Sequence, residues 1–306
     1  MLSEDINRYI EQRQTLGFKF RVQSGLLRNF SFFAESKGDQ FVCTKRVLEW
    51  AGQAPSPAQR RNRLLTVRRF SVVMQAEDER YQTPPSDAFG HNGFSRGKPY
   101  IFSPEEVTAL ICAAAQLTPQ DSMRPITYKT LFALMAVTGL RSSEALKLTL
   151  DDITDDGLII RESKFRKSRL VPLHETTQVA LSQYLIQRQN FGVKDITTTV
   201  FVSHRGDALS YSTVISIFLS LVRSLGLHEG AGHPGPRLHD LRHTFAVRSL
   251  EQCSGDSRAI KRHMTALSTY LGHAHITDTY WYLQATPMLM SQIAEAGESL
   301  YKGVLS

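Results

Sequence analysis

The chain has 306 residues, 42% hydrophobic and 21% charged, enough for two domains with separate cores. Its longest apolar run ends at Leu140 and is too short to span a bilayer, and its start lacks a signal-peptide pattern, so no membrane partner is expected. Cys43, Cys112 and Cys253 form neither a disulfide set nor a metal-ligand pair, which points to a reducing cytoplasm, and a net charge of +7 with pI near 9.4 favours an acidic partner such as nucleic acid.

From Leu2 to about Arg80 the spacing predicts short helices. Ile6, Ile10 and Leu16 recur at helical intervals before Gly17. The next helix is expected to start at Ser24 and close at Gly38, and a third to start near Thr44. A fourth takes Ser56 as N-cap and Pro57 in its first turn, with Leu64, Leu65, Val67 and Val72 toward a core. Arg60, Arg61, Arg63, Arg68 and Arg69 crowd its other sides with no acid within four residues, so they are expected to contact nucleic acid.

Residues 83–99, rich in Pro and Gly, read as a linker between a helical domain, 1–82, and a second domain, 100–306. The second domain opens with a capping box of Ser103, Pro104 and Glu106. An apolar helix follows, ending in TGLRSSEALKL. Then DDITDDGLIIRESKFRKSRLVPL reads as two extended segments turning at Asp156-Gly157, with a basic stretch from Lys164 to Arg169. The remainder to Ser306 reads as helical. The expected class is mainly α with a small antiparallel sheet.

Four stretches carry chemistry-bearing residues. Arg141 follows a glycine, with Glu144 one turn on; alone, this is a surface ion pair. Lys164 lies near a turn between strands. His239, Arg242 and His243 fall within one helical turn of HDLRHTFAV. YLGHAHITDTYWYLQAT adds His273, Tyr280 and Tyr282.

In this order the boxes TGLRSSEALKL, SKFRKSRLVPL, HDLRHTFA and LGHAHITDTYWYL resemble those of the tyrosine recombinase (phage integrase) family, over about residues 100 to 290. HITDTYWYL is similar to members carried by transposons and insertion elements. The resemblance implies a helical core-binding domain followed by a mixed α/β catalytic domain, acting as a site-specific DNA recombinase. It implies catalytic roles for Arg141, Lys164, His239, Arg242, His273 and Tyr282, with Glu144 in support. The nucleophile lies nine positions after the histidine of the Leu-Gly-His triplet, which selects Tyr282 over Tyr280. The products would be a 3′-phosphotyrosine and a 5′ hydroxyl, made without metal, cofactor or ATP. The partner would be a double-stranded DNA recombination site, bound as a dimer or tetramer through the C-terminal tail, with partner recombinases.

Three other readings compete. HDLRH imitates a zinc-protease helix with Asp for Glu, but leaves Arg141, Lys164 and Tyr282 without a role. A DNA-binding relative without catalysis would not need all six positions filled. A type IB topoisomerase shares the chemistry, but the length and the LGH box look more like the integrase branch.

Overall fold

The computed structural model describes residues 1–90, 99–161, 168–192, 198–228, 235–252 and 257–272, together with Thr279 and Tyr282. The chain separates into two compact units, Met1–Arg96 and Gly97–Ser306.

The first unit is four helices: α1 (Leu2–Thr15), α2 (Arg21–Glu35), α3 (Thr44–Gly52) and α4 (Pro57–Gln75). Their apolar stripes close on a core that includes Ile6, Phe30, Trp50, Val67 and Phe70. At the start of α4 the Ser56 hydroxyl accepts the Gln59 amide and Pro57 takes the first turn, as expected. The inward face of α4 differs from expectation. Leu64 and Val67 are buried, but Leu65 is half-buried and Val72 is exposed, and Phe70 and Met74 take the core positions. These continue from Val67 at intervals of three and four, which Val72 does not. α2 also starts earlier than expected, at Arg21. Ser24 lies inside its first turn and donates to the Arg21 carbonyl instead of capping the helix.

After α4 the chain stays on this unit. Tyr81 is buried in its core and Phe89 packs against it. Arg68 donates to the Pro84 carbonyl and Arg61 to that of Gly90. The first part of the segment expected as a linker, up to Gly90, is therefore fastened to the helices, while residues 91–98 lie outside the described ones.

The second unit begins with α5 (Pro104–Ala115), whose Ser103–Glu106 capping box forms as expected, followed by α6 (Met123–Thr138) and the short α7 (Ser142–Ala145). A 3-10 turn, Leu150–Asp152, leads into β1 (Ile153–Thr154), β2 (Gly157–Ile160) and β3 (Arg169–Val171). These make one antiparallel sheet in the order β1-β2-β3, with three strands where two extended segments were expected. The turn needs Gly157, since a Cβ there would stand 2.3 Å from the Val171 carbonyl oxygen. Then come α8 (Glu175–Asn190), α9 (Tyr211–Ser224), α10 (Asp240–Glu251) and α11 (Ser257–Leu271). α6 is the central helix, packed against α5, α8 and α10, and β3 touches α11. The class is mainly α with one small antiparallel sheet. None of the described helices is long and apolar enough to cross a membrane.

Candidate active site

The first cluster forms where α6 stops. Gly139 ends the helix at φ 60, a conformation that turns the chain sharply and that a side chain resists. Two residues later Arg141 is the N-cap of α7, and its amide donates to Glu144 Oε2 at 3.0 Å. The Arg141 guanidinium donates to Glu144 Oε1 at 2.7 Å and to the Gly272 carbonyl at 3.1 Å. From β3, Arg169 grips the same carboxylate with two bonds, 3.0 and 2.9 Å, and donates through Nε to the Tyr270 carbonyl at 2.7 Å. Glu144 is buried. Burial alone would raise its pKa, but the hydrogen bonds and charges of Arg169 and Arg141 outweigh it and hold the carboxyl at about 2. One carboxylate thus joins the first arginine box, the end of the β-hairpin and the end of α11.

The second cluster rides on α10. Arg242 is 1% exposed and donates to the Gly139 carbonyl at 2.8 Å and to the Leu271 carbonyl at 2.6 Å. Burial, then repulsion from Arg141, draws its pKa down to about 10, so it stays charged at neutral pH. Two of its five N–H donors are spent on orientation, and three make no hydrogen bond among the described residues. His239, the N-cap of α10, stays exposed as a residue, yet desolvation of its ring and the nearby Arg242 and Arg141 push its pKa down to about 4. The guanidinium charges fix that direction even where exposure weakens the desolvation. Its imidazole is neutral at pH 7 and able to accept a proton.

Tyr282 lies against this helix. It is 3% exposed and packs with Ala246, Val247, Leu250 and Leu271. Its hydroxyl is 3.3 Å from His243 Nδ1. His243 in turn meets the His239 ring edge-on, 4.7 Å between centroids, and its Nε2 is 3.9 Å from Asp240 Oδ1. Asp240 is held by Arg237 at 3.0 Å.

Of the residues expected from sequence, Arg141, Glu144, His239, Arg242 and Tyr282 come together here. Lys164, His273 and Tyr280 lie outside the described residues. Two participants have no role in the recombinase reading of the sequence. Arg169 had only the basic stretch around it as a signal, and His243 was visible only as a neighbour of Arg242. Among the described residues no three His, Cys, Asp or Glu side chains gather as a metal site would require.

The five arginines of α4 belong to the first unit, and four are engaged there. Arg60 donates to the Ala54 carbonyl, Arg61 to Gly90, Arg68 to Pro84, and Arg63 to the Trp50 carbonyl while lying 4.9 Å over the Trp50 ring. Arg69 is exposed and has no ion-pair partner among the described residues.

Known proteins resemble this chain in sequence and in fold. Among curated relatives, y4rB of Sinorhizobium fredii, described as an integrase/recombinase, is 38% identical over 296 residues, 94% of each chain. The tyrosine recombinase XerD of Mycobacterium tuberculosis is 29% identical over 206 residues, 65% of this chain and 61% of that one. Solved structures with the same fold include the Tn1549 transposon integrase in complex with transposon right end DNA, with a TM-score of 0.68, 18% identity and coverage of 97% and 98% of the two chains. Another is XerH bound to a palindromic difH substrate, with a TM-score of 0.66, 19% identity and coverage of 97% and 85%. Residues 101–288, spanning every box that carries the site, match the model of the phage integrase family. This chain belongs to the phage integrase family of tyrosine recombinases.

Proposed function

We propose that the chain is a site-specific DNA recombinase that cuts and rejoins strands through a covalent 3′-phosphotyrosine. The observation that carries this is the convergence of Tyr282, two histidines and two oriented arginines at one place. A phosphodiester repels nucleophiles, and a pentacoordinate transition state adds charge. Arg141 and Arg242 would bind the non-bridging oxygens and stabilise that charge, with His239 and His273 adding hydrogen bonds. Tyr282 Oη attacks phosphorus, and either His239, neutral at pH 7, or His243, beside the hydroxyl, takes its proton. The P–O5′ bond breaks and Lys164 protonates the departing oxygen. Glu144 holds Arg141 and does not react.

The covalent link conserves the bond energy, so a 5′ hydroxyl from another strand reverses the step without ATP. The positive charge comes from guanidiniums, so no step calls for a metal ion. The solved relatives bound to DNA support a duplex partner. We assign dimer or tetramer assembly on DNA to the C-terminal tail, which lies outside the described residues, and the natural setting to a mobile element with partner recombinases. A relative that binds DNA without cutting is the second reading, favoured by the burial of Tyr282 and Arg242.

Nicked duplexes tiled across the DNA flanking the gene test the proposal. In EDTA, one nick position should give a protein–DNA adduct that survives detergent. Adduct that appears only with added metal, or at no position, would contradict it.

A further inference from the structure

Three arginines meet the C-terminal end of α11, each on a different carbonyl. Arg169 donates to Tyr270 at 2.7 Å, Arg242 to Leu271 at 2.6 Å and Arg141 to Gly272 at 3.1 Å. The three acceptors are consecutive, and the last carbonyls of a helix carry its negative end, so cations are drawn there. The backbone is fitted closely to Arg169. Gly272 has φ 65, and a Cβ on it would stand 3.0 Å from Arg169 Nη1. Arg141 and Arg242 have roles at the phosphate in the reaction proposed above, whereas Arg169 has none.

What Arg169 does hold is the carboxylate beside Arg141. Its side chain is 11% exposed, and its two terminal nitrogens each take one oxygen of the buried Glu144, at 3.0 and 2.9 Å. A guanidinium that spans both oxygens is the strongest partner a carboxylate can have, and Arg169 fills that place. Arg141 is left with a single side-chain bond to Oε1, through Nη1, while its Nη2 reaches Gly272. The charges divide in the same way. With Arg169 present, two guanidiniums share one carboxylate and a positive charge is left over. Arg141 and Glu144 alone would make a neutral pair, with little attraction for an anion.

We propose that Arg169 is a positioning residue for Arg141. By occupying Glu144 and the end of α11, it keeps the Arg141 guanidinium from closing onto its own carboxylate and leaves that charge for the scissile phosphate. Arg169 acts through Arg141 and not on the reacting atoms, a role that rests on the recombinase reading above.

The test uses the full-length chain and the nicked duplex that gives most adduct with wild type, and reads the single-turnover rate of adduct formation at saturating protein. Arg169→Gln should form adduct roughly 100-fold more slowly, the scale for a misplaced catalytic group. That loss should vanish in an Arg141→Gln background, because no guanidinium is left to aim, so the double variant should be no slower than Arg141→Gln alone. Losses that multiply would mean that Arg169 acts elsewhere or only loosens the fold, and would overturn the role. Arg169→Lys keeps a charge beside the buried carboxylate, and so a folded chain if the glutamine variant melts too low to assay. An ammonium cannot span both oxygens and also reach Tyr270, so the lysine variant should be slow too, and again without effect in the Arg141→Gln background. Wild-type rate from Arg169→Lys would mean that charge alone suffices, and would overturn the role. A duplex with sulfur in place of the bridging 5′ oxygen is the other arm. There the P–S bond breaks to a thiolate, which leaves without needing a proton. Arg169→Gln should keep its deficit on this substrate. Recovery to the wild-type rate would put Arg169 behind Lys164, five positions earlier in the chain, and would overturn the route through Arg141. No adduct from wild type at any nick would instead sink the recombinase reading, a separate failure, since the role of Arg169 is read only from ratios to wild type.

Discussion

Glu144 has the clearest consequence at the scale of single residues. Its carboxylate receives four hydrogen bonds, from the backbone and side chain of Arg141 and from both ends of the Arg169 fork. Its pKa falls from 4.5 to about 2 on folding, so the unfolded chain binds this proton more readily than the folded one. The stabilisation is complete above pH 4.5 and is lost as pH drops through about 2, and it amounts to roughly 3 kcal/mol. Glu144→Gln should therefore unfold at lower urea than wild type at pH 7, with the gap narrowing as the pH is taken below 4.5. A gap that stays constant down to pH 3 would mean that the charge contributes nothing. Arg141 and Glu144 were readable from TGLRSSEAL because they sit three residues apart. Arg169 was not, because its partner is 25 positions away and only the tertiary fold brings β3 beside α7.

Among the elements, α4 best separates what patterning reveals from what it hides. The N-cap at Ser56 and the inward Leu64 and Val67 follow from local rules and formed as read. The five arginines show the limit of such rules, because a charge run does not say where its donors go. Four of them hold backbone carbonyls of the unit's own chain, in α3 and in the segments before and after α4. The start of α2 was misread for a similar reason: Phe20 in a left-handed conformation, not a capping serine, turns the chain into the helix. These roles separate by mutation. Arg63→Ala removes a hydrogen bond and a cation–π contact with Trp50 and should cost about 1–2 kcal/mol in urea unfolding. Arg69→Ala should leave stability within ~0.5 kcal/mol, as befits an exposed side chain without partners. Equal losses in the two variants would remove the distinction.

Over the whole molecule, two cores form separately, and the chemistry divides between them. The second unit gathers the arginines, histidines and Tyr282 from α7, α10 and the chain after α11, while the first unit carries the arginine-rich helix and the uncapped start of α2. The order of the four boxes was legible because each is a short local pattern. Their meeting point was legible only through the family resemblance, since 141 positions separate Arg141 from Tyr282 and only the packing of α6, α10 and α11 closes that distance. The central claim is that Tyr282 is the nucleophile of this assembly, and a trapping experiment tests it most directly. On a duplex nicked just 3′ of the cleavage point, the short fragment leaves and the covalent adduct cannot reverse. Wild type and Tyr280→Phe should both accumulate adduct, while Tyr282→Phe should bind the duplex normally and give none. Adduct from Tyr282→Phe, with none from Tyr280→Phe, would contradict the account.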